Sequence, residues 1–151
     1  QAFDWAETFL ETYRSALAPE EEQSIYSFNR SKLRYKQGRL KEAALLLLEL
    51  TDNDLLLNLA AKCLLAKIYY ESSEFDALES LLDSFKIFIL RKKVLGYHKE
   101  NYMNFVRLTK KLVTISPYAQ KAKESLVQTI KSTQNLTEKD WLLEQLMLKP
   151  S

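Results

Sequence analysis

One histidine and one cysteine are the scarcest of the residues that this 151-residue chain offers to acid–base or nucleophilic chemistry. A Ser-His-Asp or Cys-His mechanism must run through His98, and its neighbours at helical spacing, Asn101 and Tyr102, are not nucleophiles. A lone histidine and the single Cys63 cannot anchor a metal, so no metal site is expected. Glu20, Glu21 and Glu22 follow Pro19, where acids favour the positive end of a starting helix; that explains them without catalysis. With two glycines in the whole chain there is neither a phosphate-binding loop nor a dinucleotide turn, and no cofactor is expected. The residues point away from an enzyme and toward a binding protein.

Charge is the stronger signal. The formal net charge is only +2, yet residues 1–85 carry nine basic and fifteen acidic side chains. Residues 86–123 carry ten basic side chains against Glu100 alone. Arg91, Lys92, Lys93, Lys99, Arg107, Lys110 and Lys111 lie in this block. On two antiparallel helices, Arg91–Lys93 would sit near Lys99, with Lys110 and Lys111 some 15–18 Å away, giving a stripe along the pair. Two readings follow: a solvated face that complements helix C-terminal ends, or a surface for an anionic partner such as an acidic peptide or a nucleic-acid strand. Phe85, Phe88, Tyr102 and Phe105 interleave with the block, but their helical spacing favours core packing over an exposed stacking platform.

The elements that carry these residues are helices. Twenty-eight Leu with 2 Gly and 3 Pro exclude a turn-rich β architecture and predict an all-α fold of about eight helices. Phe3, Ala6, Phe9, Leu10, Tyr13 and Leu17 form one apolar stripe, with Trp5 beside it. Gly38 is expected to cap the second helix. Ala43–Leu48 is apolar nearly all round and predicts an internal helix. Asp54 is placed to cap the fourth helix, and Gly96 is expected to close the fifth. The sixth has an inner stripe of Tyr102, Phe105, Val106, Thr109, Leu112 and Val113. Ser116-Pro117 and Thr137 are expected to open the seventh and eighth. Apolar stretches such as 43–48 and 55–61 are far short of the ~20 residues of a membrane helix, so no membrane insertion is expected. One cysteine permits no internal disulfide, which fits a cytoplasmic compartment.

An internal repeat organises the pattern. Tyr35-Lys-Gln-Gly38-Arg-Leu40 aligns with Tyr70-Glu-Ser-Ser73-Glu-Phe75 at an offset of 35, each at a helix–turn–helix corner. Leu65-Ala66-x-x-Tyr69 then reads as the signature Leu-small-x-x-Tyr of the tetratricopeptide repeat, with Ala77 as the small residue of the following helix. The chain resembles that family, most closely over 24–94. It also resembles the C-terminal part of larger uncharacterised bacterial tetratricopeptide-type proteins. In the first copy Ser31, Gly38 and Ala43 are kept, while Arg30 and Arg34 stand where Leu and Tyr are usual, so Phe28, Leu33 and Tyr35 must supply its core contacts.

The resemblance implies a right-handed α-solenoid of antiparallel helix pairs in a single domain, 1–151. The pairs would be 22–57, 58–94 and a diverged 97–133, between capping helices at 1–18 and 137–148. An opening without Met that enters a helical pattern at once suggests a piece of a longer protein. The family binds peptides or helices in a groove lined by the first helix of each pair. The matching positions are Phe28, Lys32, Tyr35 and Lys36, then Cys63, Lys67, Tyr70 and Glu71. The implied function is a protein–protein interaction or scaffolding module. Nucleic-acid or other polyanion binding through 86–123 is the alternative.

Overall fold

A computed structural model describes residues 2–14, 19–50, 54–94 and 96–149. They form α1 (Ala2–Arg14), α2 (Pro19–Lys36), α3 (Leu40–Leu48) and α4 (Leu55–Glu71), then α5 (Phe75–Arg91), α6 (Gly96–Thr114), α7 (Gln120–Ser132) and α8 (Lys139–Leu148). The described residues contain no strand, so the all-α expectation and the count of eight hold. The chain divides into two compact units, Gln1–Glu74 and Phe75–Ser151. The division falls at the corner of the second expected pair.

In the first unit α2 packs on α1, α3 and α4, and α3 also packs on α4. Leu59, Ala66 and Ile68 of α4 and Ala43 of α3 are fully buried. Asp54 caps α4, its carboxylate accepting from the Leu57 amide at 3.1 Å; residues 51–53 lie outside the described residues. The corner after α2 closes as expected. Gly38 takes a left-handed φ of +78°, its amide donates to Tyr35 at 3.0 Å, and the Arg39 amide donates to Arg34 at 2.8 Å. Thirty-five residues on, Ser73 has φ +57° and the Ser73 and Glu74 amides donate to Tyr70 at 3.1 Å and Tyr69 at 2.8 Å. The repeated sequence is a repeated hydrogen-bond pattern.

Two expectations fail in this unit. Leu45 and Leu48 are 56% and 60% exposed, so α3 buries one face, through Ala43 and Leu47, and is not an internal helix. A nine-residue helix lying across two neighbours has too few turns to be covered all round. On α1 the stripe faces outward in part: Phe3 and Phe9 are exposed and Trp5, stacked on Phe9 at 5.5 Å, is 70% exposed. Ala6 and Leu10 are half-buried. The Tyr13 side chain and Leu17 lie outside the described residues. Polar groups hold α1 instead. The buried Arg34 donates to the Glu7 carboxylate and, at 3.0 Å, to Gln37, while Tyr26 donates to Glu11 and accepts from Arg30 at 2.8 Å.

In the second unit α6 is central, packing on α5, α7 and α8, with α7 also against α8. Phe85 and Phe105 are fully buried, 6.5 Å between ring centres, and Phe105 meets the buried Trp141 at 6.4 Å. The inner stripe of α6 is as expected at Phe105, Val106, Thr109 and Leu112, with Leu108 added and Tyr102 and Val113 half-buried. Helix ends differ from expectation at three places. α5 is closed by Lys93 at φ +54°, with the Val94 amide donating to Ile89, and Gly96 opens α6. Ser116 accepts from the Tyr118 amide at 3.2 Å in a local turn, so α7 starts three residues beyond Pro117, after an uncapped Ala119. Glu138, at φ +61°, precedes α8, and no side chain caps it; the Thr137 amide donates to Asn101 of α6 instead.

Candidate functional site

The positions expected from the repeats to line a groove lie within the first unit, on α2 and α4. Tyr35 of α2 donates its hydroxyl to the Glu71 carboxylate of α4. The Lys67 ammonium of α4 lies 5.0 Å from the centre of the Tyr35 ring, a cation–π contact. Three sequence-selected residues from two helices thus meet. One turn earlier on α2 the exposed Lys32 reaches back over the half-buried Phe28 ring at 5.2 Å. Lys36 is exposed at the end of α2. Tyr70 is half-buried, and burial pushes its hydroxyl above the usual tyrosine value.

Cys63 does not belong to this surface. It lies one helical turn before Lys67 on the same side of α4, but at 5% exposure it is covered by packing and offers no open group. Of the proposed core contacts of α2, Leu33 is buried, Phe28 and Tyr35 are half-buried, and Arg34 itself takes a buried place through its ion pair with Glu7. Of the four residues read as the repeat signature, Leu65 and Ala66 are buried and Tyr69 and Ala77 are half-buried.

What the arrangement offers chemically is recognition. Aromatic faces, ammonium groups and one carboxylate can grip a polypeptide by stacking and charge. Lys62 lies on the same helix, half-buried, with burial holding its ammonium below the usual lysine value. Nothing in its sequence context marked it. Among the described residues no group of three or more His, Cys, Asp or Glu is placed to hold a metal ion, and no helix is long and apolar enough to cross a membrane.

The basic residues all fall in the second unit. Arg91, Lys92, Lys93, Lys99, Arg107 and Lys111 are exposed. Lys110 is half-buried and donates to Asp83 of α5 at 2.6 Å, and Arg107 donates to Asn104 at 3.1 Å. The interleaved aromatics are core: Phe85, Phe88 and Phe105 are buried and Tyr102 packs on Phe85 at 6.1 Å. These four offer no exposed stacking face to a partner. Between α5 and α6 a crevice of about 190 Å³ has Leu78, Leu82 and Val113 as its apolar lining and Glu79, Asp83, Lys110 and Thr114 as its polar lining. The Asp83–Lys110 bridge was missed in the sequence because its partners are 27 positions apart.

No family model, no curated protein and no solved structure matches this chain.

Proposed function

We propose that the chain is a protein-interaction module of tetratricopeptide type, a solenoid of helix pairs that binds a peptide or helix on the α2–α4 face. The reading rests on one observation: Tyr35 of α2, selected by repeat register, contacts both Lys67 and Glu71 of α4, with Lys32 and Phe28 one turn away on α2. The recurrence of the same left-handed corner at Gly38 and Ser73 supports the repeat on which that register depends. A half-buried tyrosine between an ammonium and a carboxylate presents apolar area together with both signs of charge, which suits an extended polypeptide.

Selection from a random dodecamer library on the immobilised chain tests this. Enriched peptides should bind wild type and lose at least about tenfold in affinity to Tyr35→Ala and to Lys67→Glu, typical of anchor residues. Both variants should keep a helical circular dichroism spectrum. Enriched peptides that bind both folded variants as tightly as wild type would refute the assignment.

A further inference from the structure

The solvent face of α5 is divided by sign. Residues 75–85 carry Asp76, Glu79 and Asp83 and no base; residues 86–93 carry Lys86, Arg91, Lys92 and Lys93 and no acid. At about 100° per residue, Asp76, Glu79, Asp83, Ile87, Leu90 and Arg91 fall in one sector of the helix. All six are exposed, Ile87 by 58% and Leu90 by 49%. The opposite sector buries Leu78, Leu82, Phe85 and Ile89 in the unit's own core. Helix-end electrostatics account for Asp76 in the first turn and Arg91 in the last. Asp83 in the third turn pairs with Lys110 of α6 and still keeps an exposed side chain, and nothing among the described residues accounts for two branched aliphatic side chains left in water.

An acidic half, an exposed apolar pair and a basic half in sequence along one face complement the same face running the other way. We propose that α5 is a self-association surface, on which two copies of the chain meet through antiparallel α5 helices. Ile87 is four residues from Asp83 and four from Arg91. A two-fold axis at Ile87 therefore sets Asp83 of each copy opposite Arg91 of the other, about 6 Å to either side. Leu90 joins Ile87 at the dry centre. Glu79, about 12 Å from the axis, comes within reach of the other copy's Lys92 and Lys93, which follow the end of the helix. Among the described residues Glu79, Arg91, Lys92 and Lys93 have no ion-pair partner in their own chain, and Asp83 keeps a side chain 58% exposed beside Lys110. A parallel arrangement would set like charges together. A uniformly anionic partner would meet the acidic half. This surface lies in the second unit and is independent of the peptide-binding face.

One helix face is smaller than a standard stable interface, so the dimer is weak, with a dissociation constant on the order of 100 µM. Sedimentation equilibrium of the whole chain between about 10 µM and about 1 mM should show a monomer–dimer equilibrium weakened several-fold by salt. A monomer throughout that range would overturn the proposal. Asp83→Arg and Arg91→Asp should each weaken dimerisation by about tenfold or more, because each creates a like-charge contact twice. Mixed in equal amounts they should form a heterodimer as tight as wild type, since both contacts are then complementary. The bond to Lys110 lost in Asp83→Arg is within one chain and is equally absent from that variant's monomer, so it cancels from each dissociation constant. A mixture no tighter than either variant alone would also overturn it. Ile87→Ser, exposed and uncharged, should weaken the dimer without altering net charge; unchanged association would refute the helix face as the contact.

Discussion

Arg34 shows how far a single residue departs from its repeat. Where the expected pattern called for an aromatic ring, this chain buries a guanidinium and satisfies it with Glu7 and Gln37. The hydrogen bond from Arg34 is the main reason the Glu7 carboxyl is held below its ordinary 4.5, against a smaller opposing effect of burial. A carboxylate with a depressed value contributes stability that is complete above its ordinary range and lost as pH falls through the lowered one. Acidification from about pH 6 to about pH 3 should therefore loosen α1 from α2 in wild type. Glu7→Gln should remove that part of the pH dependence and cost about 1–3 kcal/mol at neutral pH, because it leaves a buried cation short of its partner. Urea midpoints at several pH values measure both; equal midpoints for the two proteins would show that the pair carries no stability. Arg30 and Arg34 stood out in the sequence as polar residues at expected core positions, and the two pairs are Glu7 with Glu11 on α1 and Arg30 with Arg34 on α2. That the two pairs face each other was not visible in the sequence, because local periodicity does not say which helix faces which.

Helix corners were the most legible elements. Gly38 and Ser73 were aligned from sequence, and both hold the left-handed conformation that ends a helix. A Cβ at Gly38 would meet nothing within 4 Å, so Gly38→Ala pays only the backbone cost of that conformation, about 1–2 kcal/mol. Ser73→Gly removes the same strain and should raise stability by about 0.5–1 kcal/mol after its own loss of chain entropy. Thermal melts of the two variants should move in opposite directions, and a shift of the same sign in both would contradict equivalent corners. The starts of α7 and α8 were misread for a definable reason. Ser116 and Thr137 have the right chemistry for caps, but the Ser116 hydroxyl closes a turn and the Thr137 amide is drawn to Asn101. A cap is a competition among local hydrogen bonds, and composition alone does not name the winner. The apolar run of α3 misled in the same way: apolar residues at every position from 43 to 48 say nothing about which positions find a neighbour. At the candidate site Tyr35 contacts both Lys67 and Glu71, while the buried Cys63 shows that register alone does not fix which positions stay open.

The whole molecule is two compact units, and the sequence hides their boundary because the corner at Ser73 looks like the corner at Gly38. Each unit carries one tryptophan, Trp5 exposed in the first and Trp141 buried in the second. In a Trp5→Phe background, emission should be blue-shifted and should report the second unit alone. Its urea transition should not coincide with that of the far-ultraviolet circular dichroism, which sums both units. Coincident transitions would show that the units unfold as one. The single thiol adds a measure in time. Cys63, 5% exposed within α4, is shut away from reagents while the first unit is closed. Where reclosing is fast, the rate at which a thiol reagent consumes Cys63 counts the moments when α4 stands open, and where reagent is abundant it counts the openings themselves. The first unit thus carries its own stopwatch at the centre of its packing, one that a ligand on the Tyr35–Lys67 face would slow without ever touching the sulfur.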